Sequence, residues 1–245
     1  MTLIHRRDLF LGGAAVLLPL ATAEVEQNQR KLKILCAGGH PDDPESGAGG
    51  TMARYAELSH DAINLYLTRG EGGIKGKSHE EAAAIRSAEI EKACAILKTR
   101  ALFAGQIDGA TEINSARYDE FRKILADEKP DVVLTHWPID THRDHRAISL
   151  LVYDAWLRLG RKFALYYFEV NPGAQTQHFH PTHYVDITTV EARKKEACYA
   201  HASQDPPGFY DKYHEPMQRA RGMEGGFKAA EGFVRHTQSR DGFLP

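Results

Sequence analysis

The chain has 245 residues, of which 42% are hydrophobic and 26% charged. That is the balance of an ordinary globular protein, at a length that suits one α/β domain. A formal net charge of -2 supplies no basic field to recruit nucleic acid or anionic lipid. Cys36, Cys94 and Cys198 form no CxxC and cannot all pair, so they read as buried free thiols rather than as a disulfide framework.

The chain opens on 5-HRRDLFLGGAAVLLPLATA-23. Its apolar stretch is broken by Gly12, Gly13 and Pro19, too short and interrupted for a membrane span of about 20 residues. It ends in the small-x-small pair Ala21 and Ala23, which fits a secretory signal. Arg6 and Arg7, followed by Asp8, Leu9 and Phe10, resemble a twin-arginine signal. Residues 1–23 are therefore expected to address the chain to the twin-arginine export machinery. The mature domain, 24–245, is then expected in the periplasm or outside the cell.

From Leu32 onward, apolar runs alternate with amphipathic segments, the pattern of βα units. Strands are predicted at 32–38, 62–68, 101–105, 131–136, 164–170 and 183–187. Helices are predicted at 47–60, 80–98, 115–129, 144–160 and 190–202, with capping-box patterns at Ser78/Glu81 and Thr188/Glu191. After Gln204, Pro206, Pro207, Gly208, Gly222, Gly225 and Gly226 predict a loop-rich segment wrapping over the sheet. The expected fold is a single-domain, Rossmann-like α/β structure: a mostly parallel sheet with helices on both faces.

In open α/β sheets, ligands bind beyond the carboxyl ends of the strands. Two unusual loops sit at such ends, 38-GGHPDDPESGAGGT-51 and 136-HWPIDTHRDHRA-147. His40 and Asp43 are three apart across a turn containing Pro41, so both can converge on one point, and His145 could join them from the second loop. Two imidazoles and a carboxylate with an open position form a catalytic zinc set; non-haem iron uses the same residue types. Asp42 would then be free to accept a proton. Asp144, between His142 and His145, could fix the tautomer of one imidazole or simply cap helix 144–160. The glycines of 47-GAGGT-51 do not read as a phosphate cradle, because Asp42 and Asp43 would repel a pyrophosphate. Small residues there let the helix start pack close to the sheet.

HPDD followed by GxGGT, with a later HxDH, resembles the LmbE-like or PIG-L family of zinc-dependent N-deacetylases, which act on N-acetylglucosamine groups. Further similar patterns are 67-LTRGEGG-73, Arg86 and Glu89, and 201-HASQ-204. The resemblance implies that His40, Asp43 and His145 hold Zn2+, that Asp42 is general base, and that His142 assists with Asp144 behind it. A protonated His142, or Asp42 once protonated, would serve the departing amine. The family commonly reads HPDDE; here Pro44 stands at the Glu position and Glu45 follows, which bears on loop shape and substrate fit.

Arg69 and His201 are candidate substrate contacts, Arg69 for hydroxyls or a phosphate and His201 for the substrate carbonyl. An ordinary loop ion pair and a helix C-cap are their plainer readings. His178, His180 and His183 read as surface or pocket rim, His136 as structural or supporting. Trp137 and Tyr166 could wall a sugar site, though core packing is commoner. The implied function is removal of acetyl from an N-acetylated amino sugar. The alternatives are an amidase on a larger acyl or thiol conjugate and a metal-containing carbohydrate-binding protein. A binding role would need neither Asp42 beside the ligands nor a carboxylate-backed histidine.

Replacing Arg6 and Arg7 with lysine should retain the protein in the cytoplasm, as cell fractionation would show; unchanged export would sink the twin-arginine reading.

Overall fold

The computed structural model of the protein describes residues 30–241 and 243–245; the expected export signal, 1–23, lies outside them. Five strands pair in parallel: β1 (Lys33–Gly38), β2 (Asp61–Tyr66), β3 (Arg100–Phe103), β4 (Val132–His136) and β5 (Ala164–Phe168). All but the edge strand β3 are buried along nearly their whole length, as continuous apolar runs with both faces covered should be. Two core layers result. Ile34, Cys36, Leu134 and Tyr166 face α1 (Asp43–Glu57), α2 (His79–Leu97) and α5 (Glu191–Tyr199). Leu35, Ala37, Val133 and Leu165 face α3 (Ser115–Glu128) and α4 (Arg143–Arg158).

The strand order β3-β2-β1-β4-β5 changes direction between β1 and β4. Connections leaving those two neighbours run to opposite faces of the sheet, which opens a crevice between the loops that follow them. That switch point lies where the two unusual sequence loops lie.

The segment after Gln204 is not the loop-rich wrap expected. It forms a π-helix (Pro207–His214), α6 (Glu215–Gly225) and β7 (Ala230–Arg235). β7 inserts between β5 and β6 (His183–Asp186), antiparallel to both, and completes a seven-stranded sheet. Its glycines punctuate elements instead of dissolving them: Gly226, at φ 80, is the left-handed C-cap of α6, the position glycine favours. The Thr188/Glu191 capping box is also absent. Val190 is the N-cap of α5, without a side-chain cap, because both box residues bond elsewhere. Thr188 Oγ1 accepts from the Ala229 amide at 3.3 Å, and Glu191 holds Gln218 and Arg219. The Ser78/Glu81 box does form.

Helix α1 starts four residues earlier than predicted. Pro44 fits a first turn, where its missing N–H costs nothing, and Asp43 and Glu45 complement the helix dipole. The glycines further along do not break the helix, because tertiary contacts need them. A Cβ on Gly50 would stand 2.6 Å from Ile187 Cγ2. Beneath that turn, the buried Glu231 carboxylate accepts the Gly50 and Thr51 amides at 2.9 and 2.8 Å and pairs with buried Lys194 at 2.6 Å. Gly49 differs: a Cβ there would meet Lys194 Cγ at an ordinary 3.5 Å. Gly50→Ala should therefore cost about 1–3 kcal/mol by overpacking. Gly49→Ala should be neutral, or stabilising by up to about 1 kcal/mol through helix propensity. Urea unfolding of the two variants checks the contrast.

Candidate active site

Helix α1 begins at Asp43, directly after the β1 loop, and α4 begins at Arg143, directly after the β4 loop. Side chains from both loops and both first turns, Asp43 and His145 among them, therefore reach the crevice together. Asp42 is the α1 N-cap in a left-handed conformation, φ 99, which Asp tolerates better than most residues. The His40 amide donates to Asp43 Oδ2 at 2.7 Å, so the turn itself orients that carboxylate.

Asp43 Oδ2 is the meeting point of three imidazoles. His40 Nδ1 lies 3.2 Å away, His136 Nε2 3.3 Å and His145 Nε2 3.4 Å. His142 completes the group, its ring centre 4.5 Å from that of His40 and 4.7 Å from that of His145. Carboxylates back the outer nitrogens: Asp140 Oδ1 lies 3.2 Å from His145 Nδ1, and Asp144 and Asp108 lie 3.1 and 3.2 Å from His40 Nε2. A ring nitrogen facing a shared centre, with the other nitrogen held by a carboxylate, is the arrangement of metal-ligating histidines. Ligand atoms of His40, His142 and His145, and of Asp43, His136 and His145, lie within 4.8 Å of one another. The donor set fits a divalent cation of the zinc or iron type.

The electrostatics agree. Burial works against the Asp43 anion, but His145 and His136 outweigh it and hold the carboxyl well below the usual range. Burial likewise opposes a charged His145, yet Asp43 and Asp140 carry its pKa up to about 9. Burial and the neighbouring His145 push His136 down to about 4. Imidazoles that take up protons to balance carboxylates mark a site short of positive charge, which a cation would supply. Asp42 is raised by burial, with Arg86 opposing the rise.

His40, Asp42, Asp43, His142 and His145 line one cavity of about 360 Å³. Asp144 does not stand behind His142. Its carboxylate takes His40 Nε2, the Thr111 hydroxyl at 2.5 Å and the Gly109 amide at 2.9 Å; only its amide donates to His142 Nδ1, at 3.3 Å. The helix cap is His142, not Asp144.

Arg69 and His201 are not brought to the cavity lining. Arg69 is exposed, with its guanidinium 4.4 Å over the Phe103 ring, and Glu71 accepts its amide rather than forming an ion pair. His201 is fully buried, Nε2 3.5 Å from Glu45 Oε2. Glu45 points into the core, accepting from Asn64 Nδ2 at 2.9 Å and from the Tyr66 hydroxyl, and so is not among the residues lining the cavity. Tyr166 is core and Trp137 bonds the Gln177 carbonyl. His178 and His180 line a separate hollow with Glu169 and Arg221.

Sequence reasoning missed Asp108 and Asp140 and undervalued His136. Asp140 lay inside the second motif loop, where its spacing from His145 was the available signal. Asp108, in 105-GQIDG-109, had none.

The family model PIG-L, described as GlcNAc-PI de-N-acetylase, matches residues 35–156. The diacetylchitobiose deacetylase of Thermococcus kodakarensis is 32% identical over 222 residues, 82% of this chain and 81% of that protein. The chain belongs to the PIG-L family. Among solved structures, an N,N'-diacetylchitobiose deacetylase from Pyrococcus horikoshii matches with a TM-score of 0.73 at 26% identity, covering 84% of both chains. A 4-carboxy-2-hydroxymuconate hydratase from Pseudomonas putida matches with a TM-score of 0.74 at 21% identity, covering 87% of this chain and all of that one. That last likeness concerns the fold alone, which hosts more than one chemistry.

If His145 is a metal ligand, Asp140→Asn should weaken metal affinity about 10–100-fold, measured by chelator competition. Asp119→Asn, on the exposed side of α3, should leave it unchanged.

Proposed function

We propose that the protein is a zinc-dependent hydrolase that removes the acetyl group from an N-acetylated amino sugar of the N-acetylglucosamine type. The observation that carries this reading is the divergence of two adjacent aspartates. Asp43 turns into the histidine cluster, whereas Asp42 lines the cavity with its side chain 20% exposed and bonds none of those histidines. A metal-binding carboxylate with a second, separately held carboxylate beside it is what water-dependent amide cleavage requires. Family membership supports the same reaction, and two relatives named as diacetylchitobiose deacetylases support an acetamido-sugar substrate.

His40, Asp43 and His145 would hold the zinc ion. Bound there, zinc would polarise an amide carbonyl as a Lewis acid and lower the pKa of water toward neutrality. Asp42 accepts the proton of the attacking water at its carboxylate. His142 Nδ1 accepts the Asp144 amide, so its neutral ring keeps the proton on Nε2, where it can donate to the carbonyl oxygen as charge develops. Protonated Asp42 then returns its proton to the amine nitrogen, which leaves poorly without one. Around these groups, Asn171, Gln175 and Gln204 offer amides and Phe209 an apolar face. A few polar groups on an apolar wall orient a small polar ligand. Export by the twin-arginine route is part of the proposal and rests on Arg6 and Arg7.

The test is amine release from N-acetylglucosamine and N,N'-diacetylchitobiose, paired with metal content. Asp42→Asn should keep its metal and lose a factor of about 10²–10⁴ in kcat. Asp43→Asn should bind metal weakly and recover part of its activity with added zinc. The reverse pattern would exchange the two roles.

A further inference from the structure

Three sequence patterns supply none of the reacting groups above: 67-LTRGEGG-73, the Arg86/Glu89 pair and 201-HASQ-204. They meet on α2. Arg86 and Glu89 are three apart, hence on one side of the helix, and both are buried, 3% and 7% exposed. Glu89 accepts from the Ser203 amide and hydroxyl at 2.7 and 2.8 Å, and Gln204 Nε2 donates to the Gly73 carbonyl at 3.2 Å. The two loops are thereby tied to the helix and to each other. Arg86 reaches the other way. Its Nη2 donates to Asp42 Oδ2 at 2.9 Å and also to the Pro41 carbonyl.

We propose that Arg86 is the positioning residue for Asp42, and that the glycines of the 67–73 loop supply the space it requires. This rests on the reading of Asp42 as the base. One guanidinium nitrogen holds the Asp42 side chain and the peptide just before it, so rotation of either breaks a bond to the same atom. Such a clamp is needed, because a non-glycine residue at φ 99 carries backbone strain that its surroundings must oppose. Among the described residues, Arg86 is the one side chain that donates a hydrogen bond to the Asp42 carboxylate. The loop is shaped around it: a Cβ on Gly70 or on Gly73 would lie 2.5 Å from Arg86 Nη1. Gly73 has no positive φ, so space for the guanidinium, not backbone freedom, requires glycine there.

The experiment uses the zinc-loaded mature chain and N-acetylglucosamine as probe, with Arg86→Ala, Gly73→Ala, Asp42→Asn and the Asp42→Asn/Arg86→Ala double variant. A misplaced base costs about 10²-fold. Arg86→Ala should therefore lose about that factor in kcat, with KM held within about twofold and zinc affinity unchanged. Gly73→Ala displaces the guanidinium tip without deleting it and should lose kcat in the same sense, which covers the case of an Arg86→Ala chain that does not fold. In the Asp42→Asn background, Arg86→Ala should add no further loss, since it acts through Asp42. A raised KM at unchanged kcat, or a fully additive double variant, overturns the proposal. The deacetylase reading is judged separately, on the wild type: no amine release from any acetamido sugar overturns that reading. The clamp is then judged in crystals of Arg86→Ala. Asp42 leaving the left-handed region supports it, and Asp42 unmoved at positive φ overturns it.

Discussion

A buried carboxylate at the start of a helix organises this protein. Asp43 is 6% exposed and meets three imidazoles through one oxygen. An ionised carboxylate removed from water must be paired or bound to a cation, and both needs recruit histidine. Every other feature of the crevice can be traced to that demand. The tight turn after β1 brings His40 back over Asp43, the adjacent β4 delivers His136, and the first turn of α4 delivers His145. Asp140 and Asp144 then balance the far sides of the rings. Because β1 and β4 are neighbours whose connections part to opposite faces, the sheet order itself creates the space in which these groups face each other.

The same demand separates two chemically identical neighbours. Asp43, fully engaged with histidines, is held as a strong anion, whereas Asp42 is raised by burial and keeps its partner, Arg86, on the other side. Side-chain identity does not distinguish them; one backbone dihedral does. A left-handed residue between a proline-containing turn and a helix start sends consecutive side chains in different directions, and one turn thereby serves two functions.

Much of this was legible in the sequence, and the reason is local. Residue types that can ligate or move protons, at the ends of apolar runs, disclose a site whether or not the chain between them is understood. The βα alternation disclosed the sheet in the same way, through short-range periodicity. What escaped was long-range. The start of α1 was hidden because its glycines argue against a helix, and contacts with Phe168 and Ile187, far along the chain, show why Gly47 and Gly50 are there. Thr188 and Glu191 matched a local capping rule, but partners just before β7 and on α6 outcompeted it. Asp144 sits between two histidines in sequence yet bonds a third, His40, from the other loop. Arg69 has the expected chemistry at the right sheet edge, but its guanidinium lies on Phe103, and Arg86 takes the inner position. Asp108 had no motif because its partner lies 68 positions away, at His40.

The bond between Glu231 and the backbone of α1 makes the site depend on a contact of very long sequence separation. The HPDD turn follows β1, but the helix that carries Asp43 is held by a carboxylate on β7. Between them lie about 180 residues, so this hold on α1 needs β7 in place. Contacts of such wide separation form late, after the loop-closure entropy has been met. The cluster between His40 and His145 therefore draws Asp43 from a helix whose seat depends on β7, so the finished centre rests on a contact well outside the segment that carries its ligand-type side chains.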